Sequence, residues 1–439
     1  MSAMAQILLK KGYKVQGSDR SESELLENLR NAGAKIFLGH REENIDGADL
    51  VVYTDAVDSS NPEIVRAGEL KIPTMGRAAF LGKLMKEYKT RIVISGTHGK
   101  TTTTGMISKI VLDGSKDPTI LLGGNLDEID GNVRVGGDEI FITEGCEYKN
   151  NIKFYNPTIC VILNIDSDHL DFFKDIDDVL KAFTDYVSRL GSSDCVVINR
   201  DTYGYEKLAE KSKAKVISFG ETSLADFIIG DLKSSDKTTS FSITHEGFKR
   251  DVKLKVMGIH NAYNAAAAII GASLSGIPID EAVKKVETYH GVHRRLERKG
   301  EVSGITVYDD YAHHPTEIQA SLLAVKEIKT GKIFAVFQPH TFTRTKLLLK
   351  LFGVSFKDSD EVIITDIYAA REIDDHSIHS KDLVREIQAN GKKAVYLSTF
   401  EEILDYLKKT AKKDDIVLTM GAGNIYELGE LYLKTGESS

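Results

Sequence analysis

The sequence predicts an α/β chain of three successive units, each built on a largely parallel sheet. Strand-like apolar runs alternate with helix-period segments from end to end, as they do when crossover helices separate the strands of a sheet. The length of 439 residues sets a prior of about three domains. One apolar run, residues 91–95, turns through glycines directly into a threonine-rich helix-period segment.

The first unit, residues 1–89, reads as a helix over 2–11 closed by Gly12 and a short strand over 13–17 ending at Ser18 and Asp19. A helix over 22–32 and a strand over 49–54 follow. A doubly wound nucleotide domain opens with a strand, a glycine turn and a helix. Here the sequence opens inside the helix, so the unit is read as Rossmann-like without its first strand and glycine turn.

The second unit, residues 90–291, is read as a P-loop-type parallel sheet with strands at 91–95, 139–144, 158–164 and 195–199. Residues 215–256 read as a small antiparallel insert, and 258–274 as an Ala-rich helix with the turn leading into it. The third unit, residues 292–439, is again Rossmann-like. Its strands are expected at 305–309, 333–337, 361–365, 394–397 and 416–420, with helices such as 315–329 and 400–409 between them. Residues 435–439 read as frayed.

A net charge of −8 argues against nucleic acid or an anionic membrane as the main partner. Cys146, Cys160 and Cys195 form neither a disulfide framework nor a zinc pattern and read as buried free thiols. No apolar run reaches the ~18 residues of a membrane span, and residues 1–9 lack a charged leader. The expected setting is the cytoplasm, without membrane insertion.

The turn reads Gly96-Thr97-His98-Gly99-Lys100-Thr101, with Thr102 to Thr104 opening the helix. Backbone N–H groups at such a turn form an anion nest. Lys100 adds a charge for terminal phosphates, and the Thr101 hydroxyl can ligate Mg²⁺. Ile94 stands where a strict Walker A motif needs a glycine, so the loop is the shorter Gly-x-x-Gly-Lys-Thr form.

Glu144 ends the second buried strand and His169 follows the third, in the run Asp166-Ser167-Asp168-His169-Leu170-Asp171. Ligands of parallel sheets gather at the carboxyl ends of strands, so both groups are expected to face the loop and to suit a second Mg²⁺. Asp166, Asp168 and Asp171 read as caps or supporting groups. Asn264 carries an amide able to read an adenine edge, but spacing alone favours a capping Asn261 and a surface Asn264. Further polar strings follow strands at 291–297, 308–317 and 337–344, and there Arg344 is a candidate carboxylate or phosphate fork.

Together these strings closely resemble the Mur ligases over essentially the whole chain. The segments 308–317 and 337–344 match the alanine-adding branch. The resemblance implies ATP and Mg²⁺ as cofactors, with UDP-N-acetylmuramate and L-alanine as substrates joined through an acyl phosphate during peptidoglycan synthesis. Gly96, Thr97, His98, Gly99, Lys100, Thr101 and Thr102 would cradle ATP, and Thr101, Glu144 and His169 would hold metal. Lys100, Glu144, His169 and His313 would serve the chemistry. Asn264 would meet adenine, and Arg295 and Asp310 would contact phosphate and ribose on domain closure. Asn125, His340 and Arg344 would face the substrates, with residues 421–424 helping to line that site. Sister ligases carry a carbamylated lysine at a position that falls here near Thr184. Residues 1–5 resemble the segment just after the turn that holds the UDP diphosphate, so either a truncated start or damaged sugar-nucleotide binding is expected. A monomer or weak homodimer is expected. Alternative readings are a ligase that recycles a tripeptide and a nucleotide binder without ligase activity.

Overall fold

The computed structural model describes residues 1–114, 116–170, 172–235, 238–370 and 372–436. Asp171 and residues 437–439 therefore lie outside the described residues. The chain forms three α/β units in sequence order.

In the N-terminal unit, β1 (Gln16–Asp19) pairs in parallel with β2 (Lys35–Leu38), and β3 (Val51–Tyr53) with β4 (Thr74–Gly76). The helix Ser2–Lys10 buries Met4 and Ile7 in a core shared with Ala78, Leu81 and Leu84 of the helix Arg77–Leu84. The helix Glu24–Asn31 starts where the Ser23 hydroxyl accepts from the Leu26 N–H, and it buries Leu26 and Leu29.

The central unit holds one ten-stranded sheet. Its strands are β5 (Thr90–Ser95), β6 (Thr119–Leu126), β7 (Gly131–Arg134), β8 (Ile140–Gly145), β9 (Ile159–Ile162), β10 (Cys195–Asn199), β11 (Lys215–Gly220), β12 (Phe227–Ser235), β13 (Thr238–His245) and β14 (Phe248–Leu254). The order is β14-β13-β12-β11-β10-β9-β5-β8-β6-β7. Strand β5 lies between β9 and β8, parallel to both, and Ile92, Val93 and Ile94 are all fully buried. An unbroken apolar run is what a strand covered on both faces requires.

Residues 215–256 are not a separate insert. Strand β11 pairs in parallel with β10 and β12, and the hairpins β12–β13 and β13–β14 widen the same sheet. Alternate residues Phe227, Ile229, Phe241, Ile243, Val252 and Leu254 join the main core with the Ala-rich helix His260–Leu274. The fully buried alanines of that helix let it lie close against the helix Lys100–Asp113.

The C-terminal sheet runs β15-β16-β20-β17-β18-β19, from β15 (Glu297–Val302), β16 (Ile305–Asp310), β17 (Ile333–Phe337), β18 (Glu361–Ile364), β19 (Ala394–Tyr396) and β20 (Ile416–Met420). Strand β15 is antiparallel to β16, and the other pairings are parallel. Separate apolar cores cover its two faces.

All three cysteines are free, but burial holds fully only for Cys160; Cys146 and Cys195 sit at strand ends and are half-buried. Thr184 is buried on the helix Ile176–Val187, its hydroxyl donating to the Leu180 carbonyl. Among the described residues no helix is long and apolar enough to cross a membrane.

Candidate active site

Strand β5 delivers the chain into a tight loop, and the helix Lys100–Asp113 leaves it. Asn164, just beyond β9, clamps this loop: its side-chain oxygen accepts from the His98 N–H at 2.8 Å, and its amide donates to the His98 carbonyl at 3.1 Å. Gly99 has φ +83°, and a Cβ there would stand 2.5 Å from the Asn264 side-chain oxygen. Both conditions require glycine. No side chain caps the helix, so its first N–H groups are left for an anion.

The Lys100 ammonium folds back onto the carbonyls of Gly96 at 2.5 Å and Thr97 at 2.8 Å, and onto Glu147 at 3.1 Å. Burial alone would lower the Lys100 pKa; Glu147 reverses the sign and raises it. Glu147 is 1% exposed and also lies 3.5 Å from His169 Nε2. Burial would push its pKa up, but Lys100 and His169 hold it down. Sequence reasoning passed over Glu147. Its signal was a second acid three residues past Glu144 at the same strand end.

Glu144 accepts from the Thr101 hydroxyl at 3.1 Å and from the Gly123 N–H at 2.6 Å. The approach is so close that a Cβ on Gly123 would meet the Glu144 carboxylate at 2.8 Å. A hydroxyl and a carboxylate side by side form an oxygen donor set that fits Mg²⁺. His169 (φ +54°) turns its Nε2 towards Glu147 and Asp168, so Glu147 lies between it and the loop lysine.

A cavity of about 840 Å³ opens between the central and C-terminal units, lined in part by His98, Gly99, Thr102, Asn264, Arg295 and Asp310. Asn264 is buried, not a surface residue, because it seals the loop at Gly99 and donates to Asn261 at 2.9 Å. Arg295 spans the units: its guanidinium donates to the Thr101 hydroxyl at 3.2 Å and lies over the Tyr311 ring. Arg294 instead braces its own unit through Asp309 and the Gly421 carbonyl. Asp310 binds Ser321 and the Ala312 N–H, and burial pushes its pKa up to about 6 against the pull of Arg295. Asn125 exposes its side chain on β6 while its carbonyl holds the His293 N–H at 3.0 Å.

A second cluster forms beside the loop. The rings of His313 and His340 meet edge to face at 5.8 Å. Arg344 donates to His340 Nδ1 at 3.2 Å and faces Asp168 at 3.7 Å. His313 Nδ1 donates to the Tyr311 carbonyl at 2.9 Å, which makes Nε2 its acceptor nitrogen. Burial lowers the His313 pKa to about 4, so the ring is neutral at pH 7. Tyr368, which sequence reasoning missed, stacks on His340. Asn424 receives the Gln338 amide at 3.0 Å, which ties residues 421–424 to the same corner.

Family models match nearly the whole chain: the "Mur ligase family, catalytic domain" at residues 1–89, the "Mur ligase middle domain" at 94–272 and the "Mur ligase, glutamate ligase domain" at 294–423. The UDP-N-acetylmuramate–L-alanine ligase of Acetivibrio thermocellus is 46% identical, over 99% of this chain and 93% of that protein. The corresponding ligase of Clostridium novyi is 46% identical over 99% and 95%. Among solved structures, the UDP-N-acetylmuramate–alanine ligase of Thermotoga maritima has a TM-score of 0.83 at 28% identity, covering 100% of this chain and 96% of that one. A murein peptide ligase from Psychrobacter arcticus shares the fold, with a TM-score of 0.74 at 22% identity over 99% and 96% of the two chains.

Proposed function

The chain belongs to the Mur ligase family, and from that premise we propose that it joins L-alanine to UDP-N-acetylmuramate at the expense of ATP, giving ADP and phosphate. The observation that carries this reading is the placement of Lys100, Thr101 and Arg295 around one phosphate loop, beside the His313, His340 and Arg344 cluster.

The substrate carboxylate attacks the γ-phosphorus of ATP; a new O–P bond forms and the bond to ADP breaks. The uncapped helix N-terminus and Lys100 hold the phosphate oxygens and stabilise the charge that develops on them. Thr101 would hold one Mg²⁺ and Glu144 a second, with His169, whose Nε2 faces Glu147, as the further ligand expected there; such ions when bound would neutralise phosphate charge. Arg344 orients a carboxylate. The free amine of L-alanine then attacks the acyl phosphate carbon, the C–O bond to phosphate breaks, and an amide remains. His313 presents a neutral ring whose Nε2 can accept a hydrogen bond from the incoming amine, and the proton that the amine loses goes to the departing phosphate. The C-terminal unit, reaching the loop through Arg295, excludes water that would hydrolyse the acyl phosphate. The N-terminal unit carries the uridine nucleotide, and the reaction runs in the cytoplasm.

Mass spectrometry of the reaction with ATP, Mg²⁺, UDP-N-acetylmuramate and L-alanine tests this. The expected product gains one alanine residue and forms with one ADP. A product only with a tripeptide in place of L-alanine, or ATP binding with no amide at all, would overturn the reading.

A further inference from the structure

Lys100 and Thr101 are occupied by phosphate and metal work, but the loop carries a third functional side chain. His98 stands between two carboxylates from two different units. Its Nε2 lies 3.1 Å from Asp166 Oδ2 in the central unit, and its Nδ1 lies 3.3 Å from Glu317 Oε1 in the C-terminal unit. Two carboxylates can both be satisfied only by a ring that carries a proton on each nitrogen, so the geometry calls for the imidazolium form.

We propose that His98 is a positioning residue that latches the C-terminal unit onto the phosphate loop. The two carboxylates are themselves anchored. The Asp166 N–H donates to the Thr97 hydroxyl at 2.9 Å, so Asp166 moves with the loop. Glu317 is the third residue of the helix Pro315–Lys326, and its other oxygen takes the N–H groups of His313 at 3.0 Å and His314 at 3.2 Å. A single carboxylate therefore touches the phosphate loop with one oxygen and fixes the His313 segment with the other. A parallel strut runs from the Thr316 hydroxyl to Asp166 at 2.8 Å. The latch sets the distance between the loop that holds the phosphates and the histidine that faces the incoming amine.

The charges facing His98 are Asp166 and Asp168 from the central unit and Glu317 from the C-terminal unit; His314, whose own pKa burial lowers, faces it as a neutral ring. Burial opposes the charge on His98, but Asp166 and Glu317 outweigh it and raise the pKa to about 9. The latch is fully formed below pH 6.5 and weakens as pH rises through about 9.

The test uses the full chain with His98→Asn, Glu317→Gln and the double variant. Glu317→Gln keeps an oxygen for the helix cap while removing the charge. Small-angle scattering with and without an ATP analogue reads closure independently of ligation. ATP-induced compaction should be reduced in each variant, and thermal melts should confirm that each is folded. In the wild type the compaction should fade as pH rises through about 9, and in His98→Asn it should not change there. In ligation assays each single variant should lose at least about tenfold in kcat/KM for ATP, and the double should lose no more than the worse single. Undiminished compaction in folded His98→Asn, or single losses that multiply in the double, would overturn the latch. Wild-type compaction without amide product would instead overturn the ligase reading and leave the latch standing.

Discussion

Glu147 is a buried charge that makes sense only with the partly buried Lys100 beside it. Removing Glu147 takes away the nearest counter-charge of the ammonium, at a cost below the about 3–5 kcal/mol of breaking a fully buried pair. Glu147→Gln is therefore expected to lower the urea midpoint markedly, whereas Glu147→Gln with Lys100→Met should recover part of the loss. Lys100→Ala should reduce product formation by at least about 10³-fold, read as ADP release, because the developing phosphate charge loses the ammonium of the loop itself. A second expectation concerns acid. His313 and His314 are held below 6.5, so the unfolded chain binds more protons than the folded one as pH falls from 6.5 towards 4. Stability falls over that window by on the order of 1–3 kcal/mol for His313, and His314 adds a loss of the same sign. Asp310 acts with the opposite sign, since its raised pKa keeps a proton on the folded state between about 4 and 6 and offsets part of one histidine. Urea midpoints at pH 7 and pH 5 check the net loss, which His313→Gln should reduce.

The strand–loop–helix element from Thr90 to Asp113 was legible in the sequence because its determinants are local: a continuous apolar strand, two glycines and a threonine-rich helix start. What the loop leans on was not. Asn164 and Asn264 reach it from 66 residues away in one case and through a close contact at Gly99 in the other, and neither periodicity nor composition encodes such a meeting. The antiparallel end of the central sheet was misread for a related reason. Alternation in β12 to β14 announces hairpins, but only the register of β11 against β10 and β12 shows that they extend the main sheet. Glu317 stood in the sequence as one acid of the 308–317 string, and neither its place in the capping box nor its contact with His98 was legible before the units were docked. At this scale Gly99→Ala is expected to abolish ATP binding in calorimetry while lowering Tm by only a few degrees. The strained φ costs about 1–2 kcal/mol, and the Cβ pushes Asn264 out of the site.

Across the whole molecule, the nucleotide cavity belongs to no single unit. Arg295→Ala should raise KM for ATP by about tenfold and lower kcat, while equilibrium binding of UDP-N-acetylmuramate stays unchanged; isothermal titration of each ligand separates the two effects. The position of β5 at the middle of the central sheet also has a bearing on synthesis at the ribosome. Its neighbours β8 and β9 end at residues 145 and 162, and the loop it feeds is sealed by Asn164 and Asn264. At ~5–20 residues per second, the 168 residues between Gly96 and Asn264 take roughly ten to thirty seconds to emerge. Until β9 has emerged this apolar strand waits on the nascent polypeptide without both of its neighbours, and its loop stays unsealed until Asn264 follows, which makes the segment a natural binding site for a chaperone during translation.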